Sequence, residues 1–373
     1  MAGTSQRVPR RGRRRLETHR GIALRAAHSL TEGGIIPTIS APDDLLDSHL
    51  YLDLTEFLGR NLQVKYEGFN FAGSIKFRVA RAMIDAAEKE KAIGPDTVLV
   101  ESSSGNLGVA LSVIAASRHI PFVCVTDPRC NALAAKLMRA LGTDVRVVHD
   151  ADPQSGYLQA RLDVVAALCA EDERYLWLNQ YSNPANWISH YETTAPDIAA
   201  HSPGLDVVFV GVGTGGTAMG CVRYFREHGH SVRVVGIDAV GSVTFGTPAG
   251  RRLLPGIGAS TRLPLVEPGL LDGVVHVAET DALAMCRALA RRGFLLGGSA
   301  GSVLAGAMEW LRLNDPGNRL KSVAVAADLG ERYLETVYDD LWVTAHFGPE
   351  ALEPCLIAPE PSVRVGGGPE EIR

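Results

Sequence analysis

From Thr97 onward, short β-branched apolar runs alternate with longer stretches in which apolar residues recur at helical spacing. Val98-Leu99-Val100, Phe122–Val125, Val145–Val148, Tyr175–Leu178, Val207–Val210, Val234–Ile237, Val274–Val277 and Val323-Ala324-Val325 read as strands. Helices are predicted from Gly105 to about Ser117, through Lys136-Leu137-Met138, around Ala160 to Cys169, after Pro184 and near Cys221. Strands separated by helices of this length pair in parallel and are covered on both faces. The fold class is therefore α/β, with two doubly wound lobes of mostly parallel sheet and a boundary near Asn183-Pro184. In such folds ligands sit beyond the carboxyl ends of strands, and that is where the glycine-rich turns are expected to fall.

Composition narrows the function classes. The chain has 373 residues, 46% of them hydrophobic and 21% charged, with a net charge of −5. That balance gives no reason to expect nucleic acid or a membrane surface as partner, and no apolar run approaches the roughly 18 residues of a spanning helix. The 6 cysteines are scattered without a Cys-x-x-Cys pair, so neither a disulfide framework nor a zinc site is expected, and a cytoplasmic setting is. Residues 1–20, with seven arginines among Pro, Gly and Ser, read as a solvated basic tail. A second tail is expected over residues 346–373.

Three motifs carry chemistry. Lys76, in Gly73-Ser74-Ile75-Lys76, stands among small residues at the start of a helical pattern (Val79, Ala82, Met83, Ala86). A lysine there opposes the helix dipole, which suggests a lowered pKa and a reason beyond solubility; on its own it would read as a surface lysine. Ser103-Ser104-Gly105-Asn106 could simply cap a helix. The helix it opens, however, is almost wholly apolar and must be buried, and a buried helix N-terminus with several hydroxyls suits a carboxylate. Gly211-Val212-Gly213-Thr214-Gly215-Gly216 fits a phosphate loop, a structural turn or a dinucleotide fingerprint with Asp238 as the acidic partner. Lys76 and the Ser-Gly-Asn cluster have no role in hydride transfer. An amine beside an anion cradle is what a Schiff-base enzyme needs to hold an aldehyde cofactor and an amino acid.

Gly-Ser-Ile-Lys, Ser-Ser-Gly-Asn-Leu-Gly, Gly-Thr-Gly-Gly-Thr, Pro255-Gly256-Ile257-Gly258-Ala259 and Gly298-Ser299-Ala300-Gly301 follow one another in the order seen in fold-type II pyridoxal 5'-phosphate (PLP) enzymes. The chain resembles that group, which includes cysteine synthase and cystathionine β-synthase, over roughly residues 30–340. Segments such as Val125-Thr126-Asp127-Pro128, Gly156-Tyr157-Leu158 with Arg161, Asn179-Gln180-Tyr181 and Gly241–Gly246 look most similar to N-(2-amino-2-carboxyethyl)-L-glutamate synthases. Phe77 stands where many relatives have Asp, and Phe71 where a proline is common.

The resemblance implies a smaller lobe over residues 70–183 and a larger one over 21–69 with 184–345. It implies that Lys76 carries PLP, that Asn106 contacts its 3-hydroxyl, and that Gly213, Thr214, Gly215, Gly216 and Thr217 hold its phosphate. Ser299 then faces the ring nitrogen as a neutral hydroxyl that does not enforce protonation. Ser103, Ser104, Gly105 and Gln180 bind the substrate carboxylate, and Tyr181 and Arg161 select the substrate. The implied reaction is β-replacement on O-phospho-L-serine by L-glutamate, in a homodimer supplying 2,3-diaminopropionate for a siderophore or peptide. A cysteine synthase using O-acetyl-L-serine and sulfide is the alternative enzyme; a regulatory protein on the same fold is the non-catalytic one.

Overall fold

Two parallel sheets organise the chain. The structure is a computed structural model that describes residues 39–46, 49–152 and 156–352, so the basic N-terminal tail and most of the expected C-terminal tail lie outside it. The larger sheet has the order β1-β2-β10-β7-β8-β9, built from Tyr51–Asp53, Leu62–Tyr66, Ser322–Ala326, Val207–Gly211, Arg233–Ala239 and Gly273–Val277. Only β1 runs antiparallel to its neighbour. The smaller sheet, β5-β4-β3-β6, is wholly parallel and lies between residues 98 and 177: β3 is Val98–Ser102, β4 Phe122–Thr126, β5 Asp144–Val147 and β6 Tyr175–Trp177. The first two strands, β1 and β2, precede the alternation seen in the sequence.

Period-two alternation distributes the strand side chains between two cores. Val207 and Phe209 pack with the helix Gly298–Asn314 on one face of the larger sheet. Val208 and Val210 pack with the helix Gly216–Glu227 on the other. In the smaller sheet Leu99 joins the helices Lys76–Lys89 and Asn106–Ser117, while Val100 meets Val165 behind. Residues 107–115 of the helix Asn106–Ser117 are all buried. Its Leu107, Val109, Leu111, Val113 and Ile114 each stabilise the fold by roughly 1.5–3 kcal/mol.

Two expectations change. The glycines at 297, 298 and 301 do not follow a strand: they open the helix Gly298–Asn314 directly after the helix Glu279–Ala290. The packed fold also continues past residue 345. The helix Asp340–Phe347 and the short turn Pro349–Leu352 bury Val343 and Ala351 against Val337, Tyr333 and Leu283.

The lysine loop is strapped to the end of the larger sheet. Ile75 donates its N–H to the Ala327 carbonyl at 2.7 Å, and Ser74 bridges Asp328. Gly73 sits at φ +66°, in left-handed backbone, with Arg332 3.1 Å from where a Cβ would stand. A residue just beyond β2 is thereby fixed to residues just beyond β10.

Candidate active site

Lys76 is the first residue of its helix and points into a cavity of about 420 Å³. Among the described residues no hydrogen bond or ion pair engages its amine. Burial alone pushes its pKa down to about 8, so the lowered pKa expected from the helix dipole is present with desolvation as its cause. A substantial fraction of the amine is neutral, and hence nucleophilic, in mildly alkaline solution.

Two helix N-termini face this amine. Ser103 Oγ accepts from Gly105 N at 3.3 Å and from Gly108 N at 2.9 Å. The capping role is therefore real for Ser103, and its own hydroxyl proton remains available. The N–H groups of Ser104 and Asn106 donate to nothing among the described residues. Gln180 completes this side: its Nε2 donates to the Ser102 carbonyl at 2.8 Å, leaving its second amide hydrogen free at the cavity wall.

The second terminus is the loop between β7 and the helix Gly216–Glu227. Gly213 has no room for a side chain, since a Cβ would stand 2.4 Å from the Gly256 carbonyl oxygen. Gly215 lies at φ +90°, and a Cβ on Gly216 would stand 1.9 Å from Asn186 Oδ1. The N–H groups of Thr214, Gly215 and Gly216 bond to nothing among the described residues, an arrangement suited to a phosphate. Thr214 Oγ1 accepts from Asn186 Nδ2 at 3.0 Å, and Thr217 Oγ1 meets His190 Nε2 at 3.2 Å. His190 is buried and its pKa lies well below the ordinary value, from burial first and then Lys76, so the ring is neutral near pH 7. Gly213 and Thr214 line the cavity; Gly215, Gly216, Thr217 and Ser299 stand behind its wall, Ser299 against Gly256.

The cavity is strongly cationic. Among the described residues it is lined, besides Lys76, by Arg129, Arg161, Arg251, Arg252 and Arg332, against the single carboxylate of Asp127. Arg161 is only 6% exposed and lies 3.4 Å from Asp127, yet its Nε and Nη1 have no hydrogen-bond partner among the described residues. Tyr181 lines the same wall, with its hydroxyl pKa raised by burial.

Three groups to which the sequence assigned no role hold the site together. Asp328, 1% exposed, accepts from Asn106 Nδ2 at 2.7 Å, Ser299 Oγ at 3.1 Å and Tyr333 Oη at 2.5 Å. Arg332 donates to Asn106 Oδ1 and to the Ala72 carbonyl, and its own carbonyl accepts from Asn131 Nδ2. Glu101, whose carboxyl burial pushes up to about 7, accepts from the backbone N of Ser102 and of Gln180. A carboxylate at the carboxyl end of a buried strand, as at 101 and 328, is the signal that could have found two of the three.

The chain is similar to known proteins over most of its length. The profile of the family described as pyridoxal-phosphate dependent enzyme matches residues 49–328. A curated protein from Cupriavidus metallidurans, N-(2-amino-2-carboxyethyl)-L-glutamate synthase, is 42% identical over 75% of this chain and 83% of its own length. One of the same description from Ralstonia nicotianae is 40% identical over 82% of this chain and 91% of its own. Among solved structures, a hydrogen sulfide-producing enzyme from Fusobacterium nucleatum is similar with TM-score 0.73 and 28% identity, over 80% of this chain and all of that one. An O-acetylserine dependent cystathionine β-synthase from Helicobacter pylori has TM-score 0.73 and 25% identity, over 81% and 99%.

Proposed function

Because the chain belongs to the pyridoxal-phosphate dependent enzymes, we propose that it joins L-glutamate to O-phospho-L-serine, releasing phosphate and giving N-(2-amino-2-carboxyethyl)-L-glutamate. The observation that carries this reading is Arg161, a buried guanidinium at the wall of a cavity rich in arginine, whose Nε lies 3.4 Å from Asp127 and which makes no hydrogen bond through Nε or Nη1 among the described residues. A buried donor without a partner costs about 1–3 kcal/mol, and a bound phosphate or carboxylate would relieve that cost with charge-assisted bonds. Both substrates are anionic beyond the ordinary amino acid, one by a phosphate and one by a side-chain carboxylate. The names of the two curated relatives support the same product.

In this reading Lys76 anchors PLP, and the free N–H groups of the Gly213–Thr217 loop hold its phosphate. Asn106 donates to the ring hydroxyl and Ser299 faces the ring nitrogen. When bound, the cofactor withdraws electrons from the substrate Cα, which permits loss of its proton and then of the β-substituent. The backbone of Ser104 and Asn106, with the Ser103 hydroxyl and Gln180, binds the substrate carboxylate. Lys76 takes the Cα proton and returns it to Cα after the glutamate nitrogen has bonded to Cβ. Arg161 and Tyr181 favour a phosphate over an acetate at the leaving position. The product would supply 2,3-diaminopropionate to a siderophore or peptide route, made in the cytoplasm by a homodimer.

The amine of Lys76 must be neutral to take up the cofactor's aldehyde. With its pKa lowered to about 8, the rate of PLP uptake by the unloaded protein should rise with pH through that value and level above it. Growth of visible absorbance across a pH series measures this; a rise centred near the ordinary lysine value contradicts it.

The test of the function is purified, PLP-loaded protein given O-phospho-L-serine and L-glutamate, with phosphate release and product mass as readouts. Equimolar phosphate and the mass of the secondary amine support the reading. Activity confined to O-acetyl-L-serine and sulfide, with cysteine as product, would replace it by a cysteine synthase.

A further inference from the structure

The cavity holds more cationic groups than the first substrate and the cofactor occupy. In the reading above Lys76 anchors the cofactor and Arg161 meets the leaving phosphate. Arg332 is engaged by Asn106 and the Ala72 carbonyl. Arg252 donates to the carbonyls of Gly241 at 3.0 Å and Ala259 at 2.8 Å, and to Ser260 Oγ at 2.8 Å. Arg129 bonds to Asp127 and lies over the Tyr157 ring at 4.7 Å. Arg251, an exposed residue of the same wall, makes no hydrogen bond, ion pair or ring contact among the described residues. The backbone around it is nevertheless held. Just before it, Gly250 N donates to the Gly241 carbonyl at 3.0 Å, and the two glycines touch so closely that a Cβ on Gly241 would stand 2.9 Å from Gly250 Cα. Just after it, Leu253 N at 2.8 Å and Leu254 N at 2.6 Å donate to the Glu279 carboxylate. Residues 250–254 belong to no helix or strand, so these bonds are what fix the segment, and it presents one uncommitted guanidinium to the cavity.

We propose that Arg251 binds the side-chain carboxylate of the second amino acid and so selects an acidic nucleophile over a neutral one of the same shape. The amine of that amino acid must come within about 3–3.5 Å of the substrate Cβ to react. Its α-carboxylate then lies near the position that the phosphate vacates, beside Arg161. Its side-chain carboxylate is four bonds from the amine, about 5 Å away in an extended chain with bonds near 1.5 Å, and so falls toward the exposed side of the cavity, where Arg251 stands. A guanidinium matches a carboxylate with two parallel N–H···O bonds. A primary amide offers one acceptor and turns its NH₂ toward a group that can only donate, so L-glutamine fits the same place poorly. Arg251 touches substrate away from the reacting atoms and determines specificity. The proposal rests on the reading above that the nucleophile is an amino acid.

The experiment measures kcat/KM for L-glutamate and for L-glutamine on PLP-loaded protein saturated with O-phospho-L-serine, in wild type, Arg251→Met and Arg251→Lys. Calorimetry on the same three proteins gives the Kd of the purified product. Wild type is expected to prefer L-glutamate by about 10- to 100-fold, the worth of a charge-assisted contact. Arg251→Met should bring that ratio close to unity by slowing L-glutamate alone, and should weaken product binding by about 10-fold or more. Arg251→Lys keeps the charge without the planar fork and should fall between the two. With no bonded partner at the Arg251 side chain among the described residues, both variants should fold as wild type does. A glutamate-to-glutamine ratio that is the same in Arg251→Met as in wild type overturns the proposal, and so does a product Kd that does not move. An equal loss on both amino acids leaves the ratio in place and would assign Arg251 to the first substrate instead. A wild type that makes the glutamate product without preferring it to the glutamine one defeats the proposal while the functional reading stands. A wild type that uses neither amino acid, only sulfide, defeats the functional reading and the proposal with it.

Discussion

Replacing Lys76 with alanine is expected to abolish turnover while leaving a chain that folds and, unloaded, is more stable near neutral pH than the wild type. The two effects share one cause. The amine is desolvated, with a pKa near 8 against about 10.5 in the unfolded chain. The folded state therefore binds fewer protons between those values, and stability rises with pH across that window. Below pH 8 the full cost of burying the charged form is present, up to roughly 3 kcal/mol at 1.36 kcal/mol per unit. Lys76→Ala removes that cost. Loss of the group that moves the Cα proton should lower the rate by at least about 10³-fold, within the range seen for positioned acid–base groups. Product formation by mass spectrometry and denaturant unfolding of unloaded protein check the two halves. Retained activity would remove Lys76 from the chemistry.

The second large effect concerns selectivity. Arg161→Met keeps most of the side-chain volume and removes the guanidinium, leaving Asp127 with Arg129 alone. Losing one side of a buried charge-assisted contact costs about 2–5 kcal/mol, so kcat/KM for O-phospho-L-serine should fall by roughly 10²–10³-fold. For O-acetyl-L-serine, which offers no anion at that position, the fall should be much smaller. The ratio of the two kcat/KM values is the informative quantity. An equal loss on both substrates would mean that Arg161 only supports the wall.

Which parts of this site could be read from the sequence follows from the range of the forces that make them. The helix N-termini at Asn106 and Gly216 are written locally: small residues, then an apolar helical pattern, with glycines where a side chain has no room. Lys76 stands out for the same reason. Glu101, Asp328 and Arg332 carry no such local mark, because their partners are distant in the chain. Asn106 and Asp328 are separated by 222 positions and Arg332 reaches back 260 to Ala72. The two leading strands were missed because β1 is a partly exposed three-residue strand and β2 interrupts its apolar pattern with Gln63 and Lys65. Lys65 is nonetheless fully buried and paired with Asp197 at 2.5 Å, a contact no periodicity announces. The resemblance named Asn106 and Ser299, but not the carboxylate that accepts a hydrogen bond from each.

The strand order of the larger sheet also constrains how the protein is made. β10 lies between β2 and β7, so an early-synthesised strand waits for a very late one before its second edge is paired. The smaller sheet ends at Trp177 and can close while the ribosome is still translating the remainder. Pairings of such long sequence separation form slowly, and the open edge of β2 is a site for misassociation in the interval. Asp328 and Arg332 emerge directly after β10. A nascent chain therefore has its lysine exposed well before Asp328 and Arg332 can reach Asn106 and the lysine loop, and PLP capture should coincide with the last folding step.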